Sequence, residues 1–433
     1  MKIRAIDAFQ IYDSRGNPTI EAVVTLDSGV CGHGLVPSGA STGRNEALEL
    51  RDGDPDRFGG RSVFRAIENV RREIAPALSG HDVTDQPSLD RRLMDLDGTQ
   101  NKSRLGANAI LAVSMAAARA AAAGMEKSLF NYLGNGRGTV LPLPEIQLFG
   151  GGRHANGRVD VQDFMIVAVG AETYEQSLEM TFDVFHAAGE LLKKWGKLSG
   201  VADEGGYWPA FESNEEAIEA AIGAIVAAGY EPGREVALSL DIAASELYRD
   251  GQYRFGVEGR SFSSESFAEL LSSWVDRYPI ISIEDPMAEE DWEGWALVRK
   301  LFGDRVQLIG DDLFTTNLQR IQKGVELGVA NAVLIKLNQI GTVTETLEAI
   351  QATQRAGWLP VISARSGETE DTFIAHLAVA TNAGQLKVGS FCRGERTAKW
   401  NELLRIQREL GSRAQFSGGR IYGQILKTPK LKV

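Results

Sequence analysis

Cysteine is almost missing from this chain. Cys31 and Cys392 are the only two in 433 residues, too few for a disulfide scaffold, and they lack the short spacing of a zinc or redox motif. A reducing cytoplasm is the expected compartment. Positive charge is in deficit as well: 46 Lys and Arg against 58 Asp and Glu give a formal net charge of -12, which as a whole repels nucleic acid and anionic lipid. Neither nucleic acid nor a membrane is an expected partner, although a local group of cations could still hold an anion. Long apolar runs are scarce. The most hydrophobic helical candidate, around Ala109 to Ala123, is Ala-rich and carries Arg119, so it reads as a packed helix without the length or greasiness of a bilayer span. The opening Met1-Lys2-Ile3-Arg4-Ala5-Ile6-Asp7 places an acid where an export signal needs an apolar stretch.

What is present is ordinary globular material, 43% hydrophobic and 24% charged, with enough apolar residues for a sizeable interior. The length exceeds what one core supports, so two domains are expected, one of them a large barrel. The chain opens with strand-like alternation: Ile3 to Ile11, Thr19 to Leu26 after an Asn17-Pro18 turn, and Val30 to Val36 after Asp27-Ser28-Gly29. This pattern predicts an antiparallel meander. From Ser62 to Leu78 and from Arg104 to Gly124 the apolar spacing is helical, with Gly124 as the C-terminal cap. Together these elements predict an α+β cap domain over 1–133. Breakers at Gly134-Asn135-Gly136-Arg137-Gly138, followed by Pro142 and Pro144, mark the boundary to a second domain over 134–433.

In that second part, short β-branched runs alternate with longer helical patterns, which predicts a parallel sheet or an α/β barrel. Charged residues sit where the runs stop. The run from Glu235 reaches Asp241, that from Pro279 reaches Glu284, that from Val306 reaches Asp311, and that from Ala332 reaches Lys336; later runs lead to Arg365 and Lys387. In a parallel barrel all strand C-termini open on one face, so three acids, two lysines and an arginine would converge there.

Three carboxylates at adjacent strand ends repel one another in a partly dry cleft unless a cation lies between them. Mg²⁺ suits an all-oxygen set, and the absence of clustered His and Cys argues against zinc. A lysine beside such cations is expected to have a lowered pKa, which makes Lys336 a candidate base. The metals would stabilise the enolate-like form of a carboxylate substrate. Asp203-Glu204-Gly205-Gly206 offers a second carboxyl on a Gly-rich turn, able to protonate a leaving hydroxyl. The small-residue segment Pro37 to Gly43 suits a mobile lid or anion-holding loop, and Gly150-Gly151-Gly152-Arg153-His154 is a second flexible stretch. His33, His81, His186 and His376 show no ligand spacing and read as surface or structural residues.

Taken in order, Asp13-Ser14-Arg15-Gly16-Asn17-Pro18-Thr19, the Pro37 to Gly43 segment, Ala202 to Gly206, Ile283-Glu284-Asp285-Pro286, Gly310-Asp311-Asp312-Leu313, Lys336 to Thr342, Arg365 to Ala375 and Leu403 to Ile406 resemble the enolase family over nearly the whole chain. The resemblance implies an N-terminal α+β cap followed by a modified eight-stranded α/β, TIM-like barrel. It implies dehydration of 2-phosphoglycerate to phosphoenolpyruvate with two Mg²⁺ ions per active site. By motif, Asp241, Glu284 and Asp311 would bind the first Mg²⁺ and Ser41 would help hold the second. Lys336 would be the base and Glu204 the acid. Lys387 would hold the substrate carboxylate, Arg365 and Ser366 its phosphate, and His154 would close over the site. A homodimer or higher homo-oligomer is also implied.

Two positions depart from the family pattern within the site. Asp163 stands where enolases carry glutamate, and Ala364 stands where they place a histidine near the phosphate and leaving group. The first change draws a catalytic carboxylate back by about a bond length; the second opens space beside Arg365. The expected activity is an enolase-type elimination on 2-phosphoglycerate or a bulkier phosphorylated or phosphonylated carboxylate. A specialised paralogue such as a carboxyphosphonoenolpyruvate synthase of phosphonate antibiotic biosynthesis is one alternative; a non-catalytic binding protein with the same fold is another.

Overall fold

The computed structural model describes residues 1–40 and 43–426, so Ser41 lies outside the described residues. The cap begins with an antiparallel meander of β1 (Ile3–Tyr12), β2 (Pro18–Leu26) and β3 (Cys31–Leu35). Asp13 sets its first turn, accepting hydrogen bonds from the backbone N–H groups of Arg15 at 2.8 Å and Asn17 at 2.9 Å.

Across this sheet lies α2 (Ala107–Gly124), preceded by α1 (Gln86–Asp97), a helix that the apolar spacing did not reveal. Asp85 caps α1 by accepting from Ser88 N. The expected helix from Ser62 begins at Phe64 and is π-helical over Val70–Ile74. The contact between α2 and β3 is made by backbone: a Cβ on Gly32 would lie 2.2 Å from the Ala116 carbonyl oxygen, and one on Gly34 2.2 Å from that of Ala112. Small residues on both surfaces are what permit that approach. By length and composition alone α2 is apolar enough to cross a bilayer, which corrects that remark in the reading from sequence, but 83% of it is buried inside the protein, as expected of a packed helix.

The second part is a closed eight-stranded barrel. In chain order its strands are β4 (Leu143–Gly150), β5 (Asp163–Val167), β6 (Ala237–Asp241), β7 (Ile280–Glu284), β8 (Gln307–Gly310), β9 (Ala332–Ile335), β10 (Leu359–Ser363) and β11 (Gln385–Gly389), with β11 closing on β4. Spacing pointed to a parallel sheet or an α/β barrel and the resemblance to a modified eight-stranded barrel; the barrel forms, and its modification is that β5 runs antiparallel to both β4 and β6. The reason is the connection. Only a loop without a crossover helix joins β4 to β5, and a parallel return requires a crossover. Two helices, Tyr174–Lys194 and Asn214–Ala227, then separate β5 from β6, so the chain passes the barrel mouth once more between them. That excursion carries Glu204.

Below the mouth, Leu143, Val167, Ile309, Leu334 and Val361 form the apolar barrel filling with Ile421 and Tyr422. Cap and barrel are joined through Asp371, which accepts from both terminal nitrogens of Arg119, at 2.5 and 2.6 Å, and from Leu35 N at 3.2 Å.

Candidate active site

Strand ends place most of the expected residues together. Asp241 and Glu284 are the last residues of β6 and β7, Asp311 and Lys336 directly follow β8 and β9, and Lys387 lies within β11. Asp163 comes from the first residue of β5, because that strand runs the other way. A small cavity is lined by His154, Asp163, Glu204, Asp241, Lys336, Arg365, Ser366 and Lys387, with Ala364 in its wall.

The charges divide into two corners. In the first, Lys387 Nζ lies 2.9 Å from Asp241 Oδ2, 2.9 Å from Glu284 Oε2 and 3.5 Å from Asp163 Oδ2. Burial presses the Lys387 ammonium toward neutrality, but Asp241, Glu284 and Asp163 outweigh it and hold the pKa well above the ordinary value. Glu284 moves the opposite way from most carboxylates: burial, and then Asp241, push its pKa well up. In the second corner, Lys336 Nζ donates to Asp311 Oδ2 at 2.5 Å, and Gln339 Nε2 donates to Asp311 Oδ1 at 2.7 Å. The lowering expected for the Lys336 pKa concerns the cation-bound site; the carboxylates by themselves act the other way. Burial does press it down, but Asp311 and Glu284 more than offset this, and the pKa lies above the ordinary value.

A third group faces them. His154 Nδ1 lies 3.4 Å from Asp163 Oδ1 and 3.9 Å from Glu204 Oε1. Burial lowers the His154 pKa, and Glu204 with Asp163 raise it further than burial lowers it. On the remaining wall, Arg365 Nη1 reaches Glu46 Oε2 and Asn338 Oδ1, both at 2.9 Å. Ser366 Oγ accepts from Ala40 N at 2.9 Å. Ser38 and Gly367 exchange backbone hydrogen bonds at 2.7 and 2.9 Å, which pins the start of the small-residue loop to the segment carrying Arg365.

Donor atoms of His154, Asp163 and Glu204 lie within 4.8 Å of one another, and so do those of Asp285, Asp311 and Asp312. The set expected from sequence, Asp241, Glu284 and Asp311, is instead linked through the two lysines. It nonetheless fits a hard cation: all three are buried oxygen donors, and Glu284 Oε1 has no hydrogen-bond partner among the described residues.

Several contributors escaped the sequence reading. Gln162 Nε2 donates to Asp241 Oδ2 at 3.0 Å, and Gln147 Nε2 donates to Asp163 Oδ1 at 2.5 Å. Asp285 accepts from Asp311 N at 2.9 Å and Asp312 N at 2.8 Å, so it orients the segment that bears Asp311. Polar residues within otherwise apolar buried strands, such as Gln147 in β4, were the available signal.

The family model described as the enolase N-terminal domain matches residues 3–133, and that of the enolase C-terminal TIM barrel domain matches residues 138–425. The chain is 53% identical over 424 residues to Enolase 1 of Desulfitobacterium hafniense (strain Y51), covering 97% of each chain. A chain matched through both domain models and along almost its full length in this way belongs to the enolase family.

Proposed function

We propose that this protein is a Mg²⁺-dependent hydro-lyase that removes the proton beside the carboxylate of 2-phosphoglycerate, or of a bulkier relative, and expels the β-hydroxyl as water to give a phosphoenolpyruvate-type product. The observation that carries this reading is the convergence of Lys336, Lys387, Glu204 and Asp163 on one cavity, with buried carboxylates behind the lysines.

Each residue has a part. Lys387 would pair with the substrate carboxylate, while Arg365 and Ser366 would take its phosphate. Lys336 Nζ, in its neutral form, would accept the proton from the carbon beside the carboxylate. The carbon–oxygen bond at the β-carbon then breaks, and Glu204 delivers a proton to the departing hydroxide. Asp163 and His154 would hold Glu204 and the leaving group in line. Asp241, Glu284 and Asp311 would hold the first Mg²⁺, and Ser41 is proposed for the second. Bound there, the metal would neutralise these carboxylates, favour the neutral lysine and stabilise negative charge on the substrate carboxylate. We place the protein in the cytoplasm as a homodimer or higher homo-oligomer, following the family, and the domain division at residue 134.

The direct test is absorbance of phosphoenolpyruvate formed from 2-phosphoglycerate with Mg²⁺. Turnover that EDTA abolishes is expected. Absence of both turnover and solvent-deuterium exchange beside the carboxylate, across 2-phosphoglycerate and its phosphonate and carboxylated analogues, would sink the reading. Independently of catalysis, Asp311→Ala should abolish calorimetric Mg²⁺ binding, and unchanged binding overturns that ligand assignment.

Ala364 favours a second reading. An alanine in the cavity wall next to Arg365 leaves room for an extra group at the phosphate end, as in a carboxyphosphonoenolpyruvate synthase. On that reading Ala364→His raises activity on 2-phosphoglycerate and lowers it on the larger analogue; equal effects on both would remove the basis for it.

A further inference from the structure

Gln147 has no part in the reaction drawn above, yet it is fully buried and both ends of its amide are engaged. Nε2 donates to Asp163 Oδ1 at 2.5 Å, and Oε1 accepts from Gly206 N at 2.8 Å. Gly206 closes the turn that carries Glu204, with Ala202 N donating to the Gly206 carbonyl at 2.7 Å. Asp163 Oδ1 faces His154 at 3.4 Å, and His154 faces Glu204 at 3.9 Å. One amide therefore ties together the two arms of the carboxylate–imidazole cluster.

The seat is shaped for this side chain. A Cβ on Gly206 would fall 2.7 Å from Gln147 Oε1, and one on Gly150 would fall 2.5 Å from Ala202 Cβ. The turn can approach β4 only because both positions are glycine. Reach decides the rest. Asparagine at 147 would withdraw both ends of the amide by about a bond length, too far to serve Asp163 and Gly206 together. The short reach of Asp163 is met by the long reach of Gln147.

We infer that Gln147 is a positioning residue of the lyase, which locks the Asp163 carboxylate and the Glu204-bearing turn in register around His154. The inference rests on the reading under Proposed function for its catalytic consequence, and on geometry alone for the lock.

The test uses the full chain with two variants, Gln147→Asn and the length exchange Gln147→Asn/Asp163→Glu. Gln147→Asn should lower kcat by about 100-fold, since an ångström of displacement has that order of effect, while KM changes by less than roughly threefold. The length exchange returns reach to the Asp163 arm and should recover at least about tenfold of the lost kcat. Amide hydrogen exchange at Gly206 needs no substrate: it should be slow in the wild type and faster by about tenfold or more in Gln147→Asn. Wild-type kcat in Gln147→Asn, a length exchange no faster than the single variant, or rapid Gly206 exchange in the wild type would each overturn the inference. If Gln147→Asn does not fold, the wild-type Gly206 measurement still decides. A wild type without lyase activity would refute the proposed function instead, leaving Gly206 exchange to judge the lock.

Discussion

At the lower end of the barrel, Leu143, Val167, Ile309, Leu334 and Val361 close against Ile421 and Tyr422; at the upper end, Asp241 and Glu284 end β6 and β7, Asp311 and Lys336 follow β8 and β9, and Lys387 lies near the end of β11. Apart from Lys336, which is partly exposed, the residues of both ends are buried. The lower layers bury apolar surface and are satisfied by contact alone. The upper layer buries charges, which stay there only because each lysine is held by carboxylates and each carboxylate by a lysine or amide. Glu145 lies between these regimes. It is buried in β4 with Ser239 Oγ at 3.3 Å from Oε2, and burial pushes its carboxyl up to about 7 in spite of Lys387. Burial thus resists charge at Glu145 as it does at Glu284, whereas the lysines of the mouth keep theirs. Stability and chemistry can be perturbed separately along one barrel axis.

That separation can be broken by mutation, and the largest effect is expected at the mouth. Lys336→Arg, which keeps a cation beside Asp311 but cannot act as a base, should reduce kcat by about 10³-fold or more while the urea midpoint stays near that of the wild type; a large loss of stability with kcat retained would invert the comparison. Next is Leu334→Ala in the lower filling, which should cost about 3 kcal/mol of stability. Its kcat at room temperature should stay close to the wild-type value in a steady-state assay, and a strong fall in kcat would deny the separation.

A smaller change belongs at the cap–barrel junction. Burial raises the Asp371 pKa, but Arg119 lowers it further, and the net value lies below the ordinary range. Its stabilising contribution is then present above the unfolded carboxyl pKa and is lost as pH falls through the folded value. Asp371→Asn should cost about 2 kcal/mol at neutral pH and flatten the acid limb of a stability–pH curve measured by urea unfolding. An acid limb as steep as that of the wild type would contradict it.

The smallest effect sharpens the boundary between the two ends. The Glu145 value near 7 is above its unfolded value, so the folded state binds the extra proton between those pH values and stability falls as pH rises through them. Glu145→Gln cannot ionise and should stabilise the protein by about 1–2 kcal/mol at pH 8, with little effect at pH 4. Equal stability at pH 8 would place Glu145 in a better solvated setting than its burial indicates.

Much of this was legible in the residues. Runs of β-branched residues ending in Asp241, Glu284, Asp311 and Lys336 marked four barrel strands and their open face, because a buried strand can end in a charge only where it leaves the core. The meander from Ile3 to Leu35 was equally plain from its alternation. The direction of β5 was not, since a continuous apolar run such as Phe164 to Val167 is the same read either way, and only the short connection from β4 reverses it. Helix α1 escaped because its apolar spacing is sparse, with Leu89, Leu93 and the polar Asp90 among its buried residues. Gln147, Gln162 and Asp285 escaped for another reason: each acts on a residue brought near by the fold, Asp163, Asp241 and the segment of Asp311 respectively.

The sequence by itself determined which chemistry-bearing side chains exist and that most stand at strand ends, because local pattern controls where a strand begins and stops. Tertiary structure alone decided that Asp163 opens a reversed strand, that Lys336 and Lys387 rest on different carboxylates, and that one glutamine spans Asp163 and Gly206. Those outcomes depend on chain direction and on distances between remote segments, which arise only when the barrel closes.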